Sequence, residues 1–274
     1  MKHLLTALLA IALSACAATP ARDDASPDLR VVTLNIYHDK AEWPKRLPLI
    51  VEQLRALDAD VIALQEVLQT AELPNQAQTL GDALGYSVQF VSNDPEGQPH
   101  RYGNALLTRL PVLEQDATPL EPREDSRSMG RARLRFDGRP LDVYFTHLHH
   151  TPEGAALRRR QLEDARTFIQ RQGDTAPSIV LGDFNALASA PELSVLDGYV
   201  DTYGALHPGA DAARVTTLNP HFFADFRRRI DHVYAQSGRF EIREARIVLD
   251  TPGADGTWPS DHFGTFVVLR PMAR

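Results

Sequence analysis

Ser178–Asn185 reads Ser-Ile-Val-Leu-Gly-Asp-Phe-Asn, a run of strand-forming residues that ends in a carboxylate and an amide. Two later stretches place a carboxylate and an imidazole together beside an apolar run: Arg229-Ile230-Asp231-His232 and Ser260-Asp261-His262. Three earlier apolar runs also end in a polar side chain, namely Asn35, Glu66 and His147. Acids, amides and imidazoles gathered from several strand ends are the groups that a hydrolytic site around a hard cation requires. The pattern therefore predicts a site of this chemical type, built from residues at strand ends.

The composition bounds the kind of protein. The 274 residues are 43% hydrophobic and 24% charged, which is ordinary for a globular domain with a sizeable core. The formal net charge of -7 argues against a protein whose main task is to grip long nucleic acid, because such binding relies on Lys and Arg. A small phosphorylated substrate remains compatible, since the charge inside a cleft can oppose the global sign.

The first residues have the pattern of a secretory signal. Lys2 and His3 precede the apolar run Leu4–Leu13, which is too short to span a bilayer. Cys16 follows Ser14-Ala15, and this resembles the lipobox of bacterial lipoproteins, whose cysteine is lipidated. A plain signal peptide with an incidental cysteine is the alternative. We expect residues 1–15 to be a signal peptide and 16–28 a lipidated tether to a membrane.

Such a chain would belong to the cell envelope. Ala17, the residue after the cysteine, resembles an outer-membrane address, so we expect a protein that faces the periplasm if the host is Gram-negative. The folded domain should then comprise residues 29–274. We expect it to be a monomer.

Periodicity predicts the elements of that domain. Apolar residues at three- and four-residue spacing predict a helix around Leu47–Leu57, with Pro48 in its first turn, and further helices over 76–84 and 154–172. Ten runs of strand length are predicted: 30–36, 60–67, 87–91, 104–108, 131–136, 141–146, 178–181, 229–234, 240–248 and 263–269. The alternation of arginines and apolar residues in 131–136 predicts a sheet face partly in solvent.

So many strands with so few long helices do not fit a simple parallel doubly wound fold. Two sheets packed face to face, with helices outside, account better for the count, so the predicted class is an α/β sandwich of a single domain. The remaining stretches 92–103, 116–130 and 204–228 are predicted to be loops, where substrate specificity usually resides.

None of the polar residues is specific by itself. Glu66 after an apolar run is often a solvated loop residue, and Asn35 alone is a turn former. Asp183 and Asn185 both favour turns, and Asp231 beside a histidine is compatible with a surface pair. The order and spacing of the whole set are what carry information.

That set resembles the endonuclease/exonuclease/phosphatase family, also called the deoxyribonuclease I-like superfamily. The motifs are, in chain order, Thr33-Leu34-Asn35, Gln65-Glu66, Gly103-Asn104, Thr146-His147, Gly182–Asn185, Arg229–His232 and Ser260–His262. The resemblance implies a four-layer α/β/β/α sandwich, with the site at one end of the two sheets and Mg²⁺ or Mn²⁺ as cofactor.

The resemblance also implies roles for individual positions. Glu66 corresponds to the principal metal ligand, with Asn35 and Asp261 nearby. Asp183 corresponds to the residue that orients or deprotonates the attacking water, and Asn185 to its companion on the phosphate. His147 and His262 correspond to the imidazoles that contact the phosphoryl oxygens. Asp231 corresponds to the carboxylate that pairs with His262.

Three further residues are weaker candidates for contact with a substrate phosphate. Arg127 is one, although a solvated basic strand is an equally good explanation. Tyr102 and Asn104 are the others, and packing is the alternative for Tyr102. His149 and His150 lack the additional ligands that a zinc site needs, so zinc is not expected.

The expected function is metal-dependent hydrolysis of a phosphoester by in-line attack of water. The acidic, tethered chain favours a small or lipid-headgroup phosphodiester as substrate, with nucleic acid as the alternative within the class. A catalytically inactive envelope binding protein is a more distant alternative, because all eight principal site positions carry chemically competent side chains. A serine or thiol hydrolase is excluded by the lack of a Gly-x-Ser-x-Gly turn and by the position of Cys16 in the leader.

Overall fold

The structure, a computed structural model, describes residues 27–272. The predicted signal peptide, Cys16 and most of the predicted tether 16–28 lie outside the described residues. Within the described part, no helix has the length and apolar character needed to cross a membrane.

Twelve strands in the described residues form two six-stranded sheets. The first sheet has the order β11-β12-β1-β2-β4-β3 and the second the order β5-β6-β7-β8-β10-β9. The strands are β1 Leu29–Asn35, β2 Val61–Gln69, β3 Ser87–Ser92, β4 Arg101–Thr108, β5 Val112–Pro119, β6 Ser128–Phe136, β7 Arg139–His147, β8 Ser178–Asp183, β9 Tyr199–Asp201, β10 Asp231–Gln236, β11 Phe240–Val248 and β12 Gly264–Pro271.

The two sheets are built alike, and this places their functional ends together. In each sheet one central pair is parallel, β1 with β2 and β7 with β8, while the neighbouring pairs are antiparallel. The register sets Asn35 opposite Gln65 in the first sheet, and His147 opposite Asp183 in the second. The carboxyl ends of the parallel strands therefore bring polar side chains to one edge of the sandwich.

Three apolar clusters fill the space between four layers. The first lies between the sheets and includes Val31, Val143 and Val267. The second packs the first sheet against two helices, α1 Trp43–Leu57 and α2 Gln76–Leu84.

The third cluster packs the second sheet against α3 Ala155–Arg171 and a 3₁₀ helix at Pro191–Leu196. Smaller elements are a 3₁₀ turn at Arg123–Asp125 and α4 Thr202–Leu206. The predicted α/β sandwich of four layers is confirmed.

Helix α1 begins earlier than the periodicity predicted. It starts at Trp43, so Pro48 lies in the second turn and not in the first. Pro44 occupies the opening turn, where a missing N–H costs nothing because no helical acceptor is available there. The apolar residues used for the prediction therefore marked the buried face of the helix but not its start.

Two strands were not predicted. Strand β5 occupies part of the expected loop 116–130, and its residues are mostly exposed, so it carries no alternating apolar signal. Strand β9 has three residues only. The arginine face of β6 is partly in solvent, as predicted: Arg135 is exposed, whereas Arg131 is 2% exposed and lies 2.9 Å from Asp142. Asp142, on the neighbouring strand β7, supplies the opposite charge that offsets the desolvation cost of burying Arg131.

Candidate active site

Asp183 lies at the end of β8 on the floor of a cleft, and it is 1% exposed. The register places it opposite His147 of β7 and Asp231 of β10. Gly182 has a φ of 148°, and a Cβ at this position would overlap the carbonyl of Thr146. Glycine at 182 therefore allows β8 to run this close to β7 and to deliver Asp183 beside two other polar residues.

The Asp183 carboxylate is held by two donors. The side-chain amide of Asn35 donates to Oδ2 at 3.1 Å, and the backbone N–H of Asn185 donates to Oδ1 at 2.9 Å. Oδ2 also lies 3.5 Å from Nε2 of His147 and 3.8 Å from Nδ1 of His262. One carboxylate oxygen thus meets side chains from both sheets, which is where an attacking water could be oriented.

His262 and Asp231 form a buried pair. Nδ1 of His262 donates to Oδ2 of Asp231 at 2.9 Å, which leaves Nε2 as the nitrogen free for the cleft. Burial alone would lower the pKa of His262, but Asp231, Asp183 and Asp261 together raise it well above the ordinary value. The raised pKa favours the imidazolium form of His262, which donates from Nδ1 to Asp231 and keeps a second N–H, at Nε2, for the cleft.

Two carboxylates hold their protons unusually well in the protein without metal. Burial, and then repulsion by Asp231, raise the pKa of Asp183 to about 7 in spite of the nearby His262. Burial raises the pKa of Asp261 to about 6, with Glu66 adding to the rise and His262 opposing it. A positive ion among these groups would favour their ionised forms.

His147 differs from His262 in its charge. Burial, and then the positive charges of Arg127 and His262, lower its pKa well below the ordinary value, so His147 is neutral. Its Nδ1 is buried and has no hydrogen-bond partner among the described residues. The cleft therefore contains one neutral and one charged imidazole.

Glu66 reaches the cleft through an irregularity in β2. The register of β2 against β4 shifts between Leu64 and Val67, and Glu66 has a φ of 59°. A bulge of this kind turns a side chain out of its normal alternation. Oε1 of Glu66 accepts a hydrogen bond from the amide of Asn35 at 3.2 Å, so Asn35 bridges Glu66 and Asp183.

The donor set fits a hard divalent cation. Glu66 and Asp261 supply carboxylate oxygens, and Oδ1 of Asp231 is buried without a hydrogen-bond partner among the described residues. Asp183, Asp231 and His262 form a second compact group, with one side-chain atom of each within 4.8 Å of the others, but the raised pKa of His262 suits this group to proton donation and not to binding the cation. The Asn35 oxygen accepts a bond from the backbone N–H of Tyr37, so the amide nitrogen of Asn35, and not its oxygen, faces the carboxylates.

The cleft has a volume of about 400 Å³. The predicted site residues that line it are Glu66, Tyr102, Arg127, His147, Asp183, Asn185, Asp261 and His262. Asn35 and Asp231 lie behind this surface and act on residues that line it. Asn104 is 4% exposed and donates to the carbonyl of Ser128 at 3.3 Å, so its amide links the two sheets and does not line the cleft.

Arg46 organises the edge of the cleft, and its role was not predicted from the sequence. Its side chain is fully buried within α1 and donates to backbone carbonyls, those of Ile36, Tyr37, His38, Lys40 and Pro259. Burial lowers the pKa of Arg46 to about 10. This arginine therefore joins the loop after Asn35 to the segment that leads into the Ser260 motif. Nothing in the helical pattern distinguishes it from an exposed arginine.

Arg229 begins the Arg229–His232 motif, but its role was not predicted from the sequence. It is 1% exposed and bonds to Asp201 at 2.9 and 2.6 Å and to Asp211 at 3.1 Å. It also donates to Nδ1 of His232 at 2.8 Å, so Nε2 of His232 carries the proton and donates to the carbonyl of Ala186 at 2.9 Å. This network fixes the start of β10 against the turn that follows Asn185.

His38 is a further residue of the cleft that was not predicted. Its Nε2 lies 4.0 Å from Oε2 of Glu66, and its ring packs edge-on against that of Tyr102. Burial, and then the Glu66 charge, raise the pKa of Tyr102, so this phenol stays neutral. Its position immediately after a predicted strand end was the one signal that pointed to His38.

Known proteins resemble this chain in sequence. A model described as the Endonuclease/Exonuclease/phosphatase family matches residues 32–262. Tyrosyl-DNA phosphodiesterase 2 of Mus musculus is 24% identical over 269 residues, which cover 92% of this chain and 68% of that protein. Protein angel homolog 2 of Mus musculus is 25% identical over 169 residues, and the match covers 56% of this chain but 31% of that protein.

Solved structures share the fold. The human Nocturnin catalytic domain with bound sulfate anion superimposes with a TM-score of 0.73 at 21% identity, covering 90% of this chain and 94% of that one. TDP2 of D. rerio, complexed with a single strand DNA product, has a TM-score of 0.74 at 18% identity and covers 89% of this chain and 99% of that one.

Proposed function

We propose that this chain, which belongs to the endonuclease/exonuclease/phosphatase family, is a metal-dependent phosphodiesterase that cleaves a P–O bond by in-line attack of water. Members of the family are hydrolases that act on phosphoester bonds and typically use a divalent metal. The observation that carries the proposal is the buried group of Asp183, Asp231 and His262, which joins a water-orienting carboxylate to a charged donor.

The residues of the cleft have complementary tasks in this reaction. Ionised Asp183 accepts the proton of the attacking water, and the amide of Asn35 holds Asp183 in place. His262, charged through Asp231, donates from Nε2 to a phosphoryl oxygen, where negative charge collects in the transition state. His147 and Asn185 are the further polar groups that we assign to the phosphate.

The metal that we propose is Mg²⁺ or Mn²⁺. Glu66 and Asp261 would hold it, with Asn35 beside them. When bound, such an ion neutralises charge on the phosphate and on the leaving oxygen. The burial and mutual repulsion that raise the pKa of Asp261 support a cation at this position, because carboxylates so placed lack a positive partner of sufficient charge.

The substrate that the net charge favours is a small phosphodiester, free or as a lipid headgroup. Nucleic acid is the second candidate, and it is favoured by the similarity to a tyrosyl-DNA phosphodiesterase over 92% of the chain. Tyr102 and Arg127 line the cleft and are the residues that we assign to contacts with the rest of the substrate. We propose that the protein acts as a monomer.

The test is hydrolysis of bis(p-nitrophenyl) phosphate by the purified protein. We expect activity with Mg²⁺ or Mn²⁺ and its loss in EDTA. Asp183→Asn should lower kcat by several orders of magnitude, whereas the exposed Asp197→Asn should be neutral. Full activity of Asp183→Asn would contradict the assigned roles. A panel of plasmid DNA, RNA, sphingomyelin and inositol phosphates at matched metal would then identify the substrate class.

We also propose that Cys16 is lipidated and anchors the protein in the cell envelope, in the outer membrane facing the periplasm if the host is Gram-negative. The motif around Cys16 in the sequence supports this. An acyl probe should label the wild-type protein in cells. Equal labelling of Cys16→Ser would contradict the assignment.

A further inference from the structure

Arg127 enters the cleft from the turn before β6, and its guanidinium is held on one edge only. The side chain is 12% exposed, and its Nε is buried without a hydrogen-bond partner in residues 27–272. Nε lies 3.7 Å from Oδ2 of Asp125, and Nη2 lies 3.5 Å from Nδ1 of His150. These two nitrogens face protein groups, which leaves Nη1 as the nitrogen that can meet an anion in the cleft.

Asp125 supplies the opposite charge for Arg127. Among the carboxylates of residues 27–272, Asp125 alone lies within ion-pair distance of this guanidinium. It ends the 3₁₀ turn Arg123–Asp125, and its side chain is 16% exposed. A pair at this depth is screened less than a pair on the open surface, so the place of the carboxylate bears on the place of the guanidinium.

Both oxygens of Asp125 are held by donors from other elements. Nδ1 of His149 donates to Oδ1 at 2.9 Å, and Nε2 of Gln161 donates to Oδ2 at 2.6 Å. Gln161 is fully buried in α3, and its Oε1 accepts from the backbone N–H of His149 at 2.9 Å. Asp125, His149 and Gln161 therefore form a closed set of hydrogen bonds, called the Asp125 network below.

The imidazole of His149 is itself fixed by the start of α3. Its Nε2 lies 2.8 Å from the hydroxyl of Thr151. A Cβ on Gly154 would lie 2.1 Å from Cδ2 of His149, so glycine at this position leaves the room that the ring needs. Nη1 of Arg158 donates to the carbonyls of His149 and Thr151 at 3.3 and 2.7 Å. The network is thus built on the rigid first turns of a helix.

The backbone of Arg127 is anchored independently of the Asp125 network. Its carbonyl accepts from the N–H of Leu120 at 2.8 Å and from the side-chain amide of Asn93 at 2.9 Å. Loss of the Asp125 charge should therefore free the guanidinium while the strand entry keeps its place. This separation distinguishes a role in aiming the side chain from a role in holding the turn.

We infer that Asp125 is a positioning residue, which aims Arg127 at an anionic oxygen of the substrate, and that His149 and Gln161 fix Asp125 for this task. The inference rests on the proposed function, because that function assigns Arg127 to the substrate. It goes further in making the contact depend on three side chains that are not assigned to the substrate.

The test is binding of phenylphosphonate, a phosphate analogue without a scissile ester bond, to the full chain with Mn²⁺ by titration calorimetry. Arg127→Ala should weaken binding on the order of 10-fold, because a charge-assisted contact is lost. Asp125→Asn, which removes the charge and keeps the size of the side chain, should weaken binding nearly as much. In the double variant, Asp125→Asn should have no further effect, because Asp125 acts through Arg127.

His149 allows a rescue by a conservative variant. His149→Leu removes the donor to Asp125 and should weaken phenylphosphonate binding, whereas the amide of His149→Asn can replace the Nδ1 donor and should restore most of the affinity. Glu124→Ala is the matched control, because Glu124 lies in the same 3₁₀ turn but is exposed. Urea denaturation reports folding separately, since a merely structural network would change stability without coupling to Arg127.

The outcomes separate this inference from the proposed function. Losses that add in the double variant would overturn the inference, as would unchanged binding in Arg127→Ala or no measurable binding to the wild type. Phenylphosphonate is not hydrolysed, so the result does not depend on catalysis. Coupling of Asp125 to Arg127 in a protein that leaves bis(p-nitrophenyl) phosphate intact would instead sink the proposed function and leave the positioning role standing.

Discussion

Replacing Asp183 with asparagine should flatten the pH dependence of folding stability in the metal-free protein. Asp183 has a pKa of about 7 in the fold, against 3.8 for an ordinary aspartate. The folded state therefore keeps a proton over a pH range in which the unfolded chain has lost it. For a group raised in this way, the contribution to stability is present at low pH and is lost as the pH rises through 7.

The magnitude follows from the size of the shift. One pKa unit corresponds to about 1.4 kcal/mol, so raising the pH from about 5 to about 8 removes about 3 kcal/mol of stability through this one carboxyl. The cause is the burial of a charge at 1% exposure beside the carboxylate of Asp231. An asparagine cannot ionise, so the variant lacks this loss.

The assay is urea denaturation in EDTA at both pH values, with the wild type and Asp183→Asn side by side. The variant also loses the bond from Asn35, but that loss is the same at both pH values, so the difference between them isolates ionisation. Asp261→Asn should show the same effect more weakly, because its pKa is about 6. The exposed Asp197→Asn should follow the wild type. Parallel curves for the wild type and Asp183→Asn would refute the reasoning.

Three other outcomes are expected. Asp231→Asn should lower kcat/KM on bis(p-nitrophenyl) phosphate on the order of 100-fold and move the alkaline limb of the pH–rate profile to lower pH, because His262 loses the carboxylate that does most to raise its pKa. An unchanged alkaline limb would argue against a role for the His262–Asp231 pair. Arg46→Gln should lower the free energy of unfolding, measured by urea denaturation, by about 3 kcal/mol, because several buried carbonyls lose a charged donor. Arg55→Gln, at an exposed position on the same helix, is the control and should change the free energy of unfolding little. Mn²⁺ at about 100 times its Kd should stabilise the wild type by about 3 kcal/mol in thermal unfolding, and an equal gain in Glu66→Gln would show that Glu66 is not a ligand.

Much of the fold was accessible from local patterns. Strands buried on both faces, such as β2 and β8, show continuous apolar runs, and helix α3 shows its apolar stripe. Strand β5 was missed because most of its residues are exposed, so its sequence shows no alternation of apolar and polar side chains. The start of α1 was missed because Pro44 and Pro48 both fit early helical positions and only the capping geometry at Glu42 distinguishes them.

The candidate site was predictable as a set of residue types but not as a network. Glu66, Asp183 and His262 line one cleft, although Glu66 lies within β2 and His262 precedes β12. Their catalytic roles remain predictions. The structural roles of Arg46 and Arg229 could not be predicted, because the hydrogen-bond partners that define these roles lie up to 213 residues away along the chain.

The sequence by itself determined which residues end strands, which faces are apolar and which carboxylates and imidazoles exist to be used. These are local properties, since a side chain alternates or repeats with the backbone that carries it. Only the tertiary structure decided that the pKa of His262 is raised while that of His147 is lowered, that burial raises the pKa of Asp183 to about 7, and that the guanidinium of Arg228 lies over the ring of Phe226. Protonation and access depend on burial and on charges a few ångströms away in space, and those neighbours come from strands far apart in the chain.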